Sequence, residues 1–108
     1  MSEVEVQAKK GPVLKVLDLA SFLDMADDPV AICIKRRYYG YGLYADYFIA
    51  TARWKDDKNV IVMYEELVYD VLARGTDEEK KERAKKRVDE LETLINEEHK
   101  VVHGEWEV

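Results

Sequence analysis

The side chains able to do chemistry in this chain of 108 residues are few, and most sit where that chemistry is hard to perform. Cys33 is the single cysteine. It lies between Ile32 and Ile34 in an apolar run, where a thiolate is costly to form and hard to reach, so it reads as a buried small hydrophobe. One cysteine also excludes an internal disulfide and a thiolate cluster for zinc. His99 and His103 are four apart, the spacing of two metal ligands on one helix face, with Glu98 or Glu105 to complete a shell. Val101, Val102 and Gly104 place the end of the helix before His103, so no metal is expected and both histidines read as solvent-exposed at an element boundary. Asp24, Asp27 and Asp28, and likewise Asp56 and Asp57, are carboxylate clusters without a partner base, which suits caps and turns. Gly40 and Gly42 lead from strand to strand and not into a helix, so they do not form a phosphate-binding loop. The chain carries no enzyme signature. No catalytic residue and no cofactor is expected.

The segment from Lys35 to Tyr44 is different in kind, because it gathers Arg36, Arg37, Tyr38, Tyr39, Tyr41 and Tyr44 around one hairpin. Arginine and tyrosine dominate protein interfaces, since each covers much area at little entropic cost. The same residue types stack on unpaired bases and hold phosphates, which is how single strands are bound without sequence preference. Gly40-Tyr41-Gly42 also matches the Gly-aromatic-Gly centre of the RNA-recognition-motif signature. The match is partial: Tyr39 stands where a cation belongs, Asp46 where an aromatic belongs, and Val4 and Val6 offer no companion aromatic.

The elements that must position these residues follow from apolar periodicity. Val4, Val6 and Ala8 alternate with Glu3, Glu5 and Gln7 as a half-buried strand. Val16, Leu19, Ala20, Leu23 and Ala26 recur at helical spacing, with Pro12 or Asp18 as the start and Asp27-Asp28-Pro29 as the stop. Three antiparallel strands then cover Val30 to Tyr39, Leu43 to Lys55 and Asn59 to Tyr64. A Gly40-Tyr41 turn sets Ile32 opposite Ile49, Cys33 opposite Phe48, and Lys35 opposite Asp46. A four-residue turn sets Ala50 and Ala52 opposite Met63 and Ile61, on a face small enough for a helix to approach. Leu67, Val68, Val71 and Leu72 suggest a short helix ending at Gly75. A longer helix opens with a Thr76/Glu79 capping box, and Val102, Gly104, Trp106 and Val108 alternate as a last strand. The expected fold is a single α+β domain over 1–108: a small antiparallel sheet in the order β-α-β-β-β-α-α-β, with helices packed on it and a long charged C-terminal helix.

On that long helix Ala84, Val88, Leu91 and Ile95 form one narrow apolar seam. Lys80, Lys81, Arg83, Lys85, Lys86 and Arg87 fill its first half, and Asp89, Glu90, Glu92, Glu97 and Glu98 its second. An antiparallel second copy would set basic halves against acidic ones, so the seam is a self-association candidate. A net charge of −6 argues against coating nucleic acid non-specifically. The scarcity of amides and the 37% of charged residues resemble thermophile usage. No signal peptide or membrane-length apolar run is present in the sequence, so a cytoplasmic location without membrane contact is expected. The sequence therefore points to a non-catalytic, self-associating interaction module, such as an accessory factor of a filament or multi-subunit complex with a larger protein partner. The alternative it leaves is a single-stranded nucleic-acid binder that uses the Arg/Tyr hairpin.

Overall fold

In a computed structural model that describes residues 13–104, the chain forms one five-stranded sheet with two helices. The strands are β1 (Val13–Val16), β2 (Val30–Gly40), β3 (Leu43–Trp54), β4 (Asp57–Asp70) and β5 (Val101–His103). Helix α1 covers Leu19–Met25 and α2 covers Asp77–Glu98. The sheet order is β1-β4-β3-β2-β5. The central pairs β2/β3 and β3/β4 are antiparallel, whereas β1 joins β4 and β5 joins β2 in parallel.

This corrects the expected small antiparallel sheet bearing several helices: the sheet is mixed and dominant, with 49% strand and 32% helix among the described residues. The expected short helix at Leu67–Leu72 is the continuation of β4, whose residues find partners along β3 as far as Ala45↔Asp70. A bulge there leaves Val68 between the pairs Tyr47↔Leu67 and Asp46↔Tyr69. It breaks the strict alternation that marks a strand, so consecutive apolar residues imitate helical spacing. Val16, expected as the first apolar position of the helix, lies instead in strand β1, which rules out Pro12 as the helix start. The helix begins only after Asp18, whose carboxylate accepts the Ser21 N–H at 2.8 Å as the N-cap. The expected strand at Val4–Ala8 and the end of the last one at Trp106 and Val108 lie outside the described residues.

Both hairpin registers differ by one residue from expectation. The β2/β3 turn is Tyr41-Gly42, closed by the pair Gly40↔Leu43, and together with a bulge between Tyr38 and Gly40 it brings Ile32 opposite Ala50, Cys33 opposite Ile49 and Arg36 opposite Asp46. The β3/β4 turn closes at Trp54↔Asp57, and an irregularity between Arg53 and Trp54 shifts the register beyond it, so Ala50 and Ala52 meet Tyr64 and Val62. A one-residue slip exchanges the faces of one strand relative to its partner. Val30, Ile32, Val60 and Val62 therefore share a face with Ala50 and Ala52. On that face they pack with Phe22 of α1 and with Leu91 and Ile95 of α2 in a single core.

Helix α2 crosses this face obliquely. It starts beside the end of β4, where the Lys80 ammonium donates to the Val71 carbonyl at 2.8 Å, and it ends beside β5 at the outer side of β2. Its start is fixed by the capping box, with Glu79 N–H donating to Thr76 Oγ1 at 3.1 Å and Thr76 N–H to Glu79 Oε1 at 2.9 Å. The oblique path leaves the distal part of β2 and β3, around the hairpin tip, without a helix above it.

Candidate interaction site at the hairpin tip

The apex of the β2/β3 hairpin is a two-residue turn in which Tyr41 and Gly42 both have positive φ, 53° and 74°. That conformation matches the twist of the flanking strands, and it favours Asn-Gly over any bulky first residue. Tyr41 nonetheless occupies it with its side chain entirely in solvent, at 103% relative exposure. Tyr38 is 70% exposed beside it.

The two arginines are held differently. The Arg36 guanidinium stacks over the Tyr44 ring at 3.7 Å and donates to both carboxylate oxygens of Asp46, at 2.8 and 3.1 Å. Arg37 lies over the Tyr47 ring at 4.5 Å and donates to Glu65 at 2.7 Å. The bond to Asp46 raises the Arg36 pKa further and the bond to Glu65 that of Arg37, so each carries its full charge against an internal carboxylate. The Tyr39 hydroxyl donates to Asp70 at 2.6 Å, which pushes its pKa up to about 12. Tyr44 stacks on Tyr69 with centroids 5.9 Å apart and lies 5.8 Å from Tyr38 in a tilted contact.

Next to the tip, the first half of α2 and the uncovered sheet enclose an open groove of about 420 Å³. Its lining is apolar at Ile34, Val68, Ala84 and Val88, aromatic at Tyr44 and Tyr69, and charged at Arg36, Asp46, Lys81 and Lys85. The bulge in β4 turns both Val68 and Tyr69 toward it. The helix seam is divided along its length. Leu91 and Ile95 are fully buried in the core, while Ala84 and Val88 are half-buried and line the groove.

The remaining sequence candidates are dispersed. Cys33 is half-buried on the sheet face away from the helices. His103 meets Glu92 at 3.3 Å, whereas His99 turns the other way to Asp28 and Leu23. Asp27 pairs with Lys58, and Asp57 caps its own turn by accepting the Asn59 N–H at 3.0 Å. Among the described residues no three His, Cys, Asp or Glu side chains gather as metal ligands, and no helix is long and apolar enough to cross a membrane.

No protein-family model matches the chain, and comparison with curated proteins and with solved structures yields no significant match.

Four side chains that local spacing does not reveal hold the site's frame. Arg87 donates to both oxygens of Glu66 at 2.6 and 2.9 Å, and Tyr64 donates to the same carboxylate. The Arg87 bonds hold the Glu66 carboxyl below its ordinary range against the opposing effect of burial. Burial, with the bond to Glu66, pushes Tyr64 up to about 12. The partners Glu66 and Arg87 are 21 positions apart, so only the tertiary fold joins them. Lys80 is the fourth, 6% exposed although it sits in a run of solvated charges.

Proposed function

We propose that this protein is a non-catalytic interaction module that docks a protein partner through the tyrosine-rich hairpin and the adjoining groove. The observation that carries the reading is Tyr41. A bulky residue in the left-handed region costs about 1 kcal/mol relative to residues that tolerate it, and a fully solvated ring returns no packing for that cost. A fold selected for its own stability alone would place asparagine there. An aromatic kept at the apex against its conformational preference fits a contact made in a complex.

The pairing of the arginines favours protein over nucleic acid as the partner. Affinity for a single strand comes largely from cations that release counterions from phosphates, and Arg36 and Arg37 are already neutralised by Asp46 and Glu65. What the tip presents outward is aromatic surface, which suits an interface hot spot.

The test is Tyr41→Asn combined with Tyr38→Ala. Immobilised wild-type protein should retain a discrete partner from its source extract, the double variant should lose it, and neither should bind a labelled oligonucleotide at low salt. If light scattering finds a concentration-dependent mass that the double variant abolishes, the partner is another copy. Salt-sensitive oligonucleotide binding, or retention that survives the double substitution, would overturn the reading.

A further inference from the structure

Helix α2 seals the sheet unevenly along its length. Leu91 and Ile95 are fully buried in the core, whereas Ala84 and Val88, nearer its start, are half-buried and open on the groove. Ile34 lies two residues beyond the core residue Ile32 on the same face of β2, yet it is 50% exposed. With Val68 of β4 it continues the aliphatic floor past the side of α2, where solvent reaches it. A sheet face of this kind is normally buried by helices lying side by side, about 8–10 Å apart between axes.

The groove's rings and its arginine are already engaged within the molecule. Tyr44 carries the Arg36 guanidinium at 3.7 Å and stacks with Tyr69, which is itself 7% exposed, and Arg36 pairs with Asp46. This tells against a base or another flat aromatic ligand. What the groove offers is aliphatic surface below and two cations above: Lys81 and Lys85 are exposed, four residues apart on one side of α2, and among the described residues neither is in an ion pair. The complement is a set of aliphatic side chains flanked by two carboxylates one helical turn apart. The same surface runs on to the hairpin apex, because Tyr38, 70% exposed, lies 5.8 Å from Tyr44.

We infer that the groove receives an acidic amphipathic helix of the partner protein, laid beside the first half of α2. This rests on the interaction-module reading and specifies the segment the partner contributes. Aliphatic anchors on one face of that helix pack against Ile34, Val68 and Val88, and carboxylates spaced i, i+4 meet Lys81 and Lys85, which fixes its register along α2. The hairpin tyrosines then contact the partner beyond the helix, as a hot spot continuous with the groove. A small amphiphilic anion would engage the groove and leave the tip unused. A second copy fits less well, since the acidic half of its α2 commits Leu91 and Ile95 to its own core and presents Leu94, 40% exposed, as its one large apolar side chain.

The probe is an alanine-based peptide of about 18 residues, long enough to form a helix, with a leucine stripe and glutamates at i, i+4 along its border. It is titrated at neutral pH into the isotope-labelled full-length protein and followed by methyl NMR and circular dichroism. The expected result is saturable binding with a gain of peptide helicity and shifts centred on the methyls of Ile34, Val68, Ala84 and Val88. A lysine-for-glutamate peptide, and the Lys81→Glu/Lys85→Glu protein with the original peptide, should each bind at least about tenfold more weakly. The charge-reversed protein should recover affinity for the lysine peptide, which a misfolded variant could not do. Ile34→Glu, at a half-exposed position, should abolish binding of the original peptide, with thermal unfolding confirming that the variant is folded. Equal affinity for the lysine peptide or for a scrambled peptide without an apolar stripe would overturn the inference. So would shifts away from the groove, or Ile34 and Val88 methyls shielded from a soluble paramagnetic agent in the free protein. A dimer by light scattering that the peptide dissociates would make the occupant a second copy, and would overturn it too. Failure of the peptide alongside tyrosine-dependent partner retention would leave the interaction module standing and remove only the helix in the groove.

Discussion

Lys80 shows how far a single side chain can depart from its neighbours. It belongs to a run of lysines and arginines that reads as a solvated helix face, yet its ammonium is 6% exposed, bonded to the Val71 carbonyl, 3.8 Å from Asp77 and 5.7 Å from the Tyr69 ring centroid. It ties the first turn of α2 to the end of β4. Lys80→Met keeps the stem but leaves the Val71 carbonyl without that donor, and should cost about 1–2 kcal/mol in denaturant unfolding. The same substitution at Lys81, on the groove rim, should change stability by less than about 0.5 kcal/mol. Tyr41 is the opposite case, where the native residue works against the fold. Tyr41→Asn should raise the stability of the isolated protein by about 1 kcal/mol, since asparagine accepts the positive φ that tyrosine resists. A variant that gains stability while losing its partner would separate the two roles of the turn.

At the level of elements, the legible parts were those governed by neighbours in sequence. The β2/β3 and β3/β4 hairpins, α2 and its capping box follow from alternation, turn residues and a four-residue motif. Register was not legible, because turn composition does not separate Gly40-Tyr41 from Tyr41-Gly42 and reveals neither the bulge between Tyr38 and Gly40 nor the irregularity between Arg53 and Trp54. The parallel partners of β1 and β5 were not legible either, since those pairings are non-local and the edge strands are three or four residues long. The candidate site was half visible: the tyrosines and arginines stood out, but Asp46 and Glu65 as their acceptors did not. A substitution checks the corrected register directly. Ala50 is fully buried beneath the helices, so Ala50→Leu should overpack that layer and cost about 2 kcal/mol by denaturant unfolding. Leu67, nearly half exposed on the other face of the sheet, should accept Leu67→Ala with less than half that loss.

The whole molecule is closed by a small number of polar ties between distant elements, and these set how its stability responds to pH. His99 caps the end of α2 and reaches α1 and the loop after it: Nδ1 lies 2.7 Å from an Asp28 carboxylate oxygen and Nε2 2.8 Å from the Leu23 carbonyl. Both partners accept hydrogen bonds, so only the doubly protonated ring can donate to both. Burial opposes that charge, but the Leu23 and Asp28 bonds outweigh it and the pKa is raised above the ordinary 6.5. A raised folded pKa means that the contribution is complete below pH 6.5 and is lost as pH climbs through the folded value. Glu66 behaves in the reverse sense. The Arg87 bonds lower its pKa below 4.5, so its contribution is complete above pH 4.5 and disappears as pH falls through the folded value. Both ties are whole between those limits, and stability against denaturant should be greatest in mildly acidic solution, falling toward pH 8 and toward pH 3. His99→Gln should lower stability at pH 5.5 and flatten the alkaline limb while leaving the acid limb in place. Arg87→Met should do the converse, removing part of the acid limb and sparing the alkaline one. A wild-type curve still rising from pH 6 to pH 8 would show that His99 folds as the neutral ring, with one of its two bonds broken.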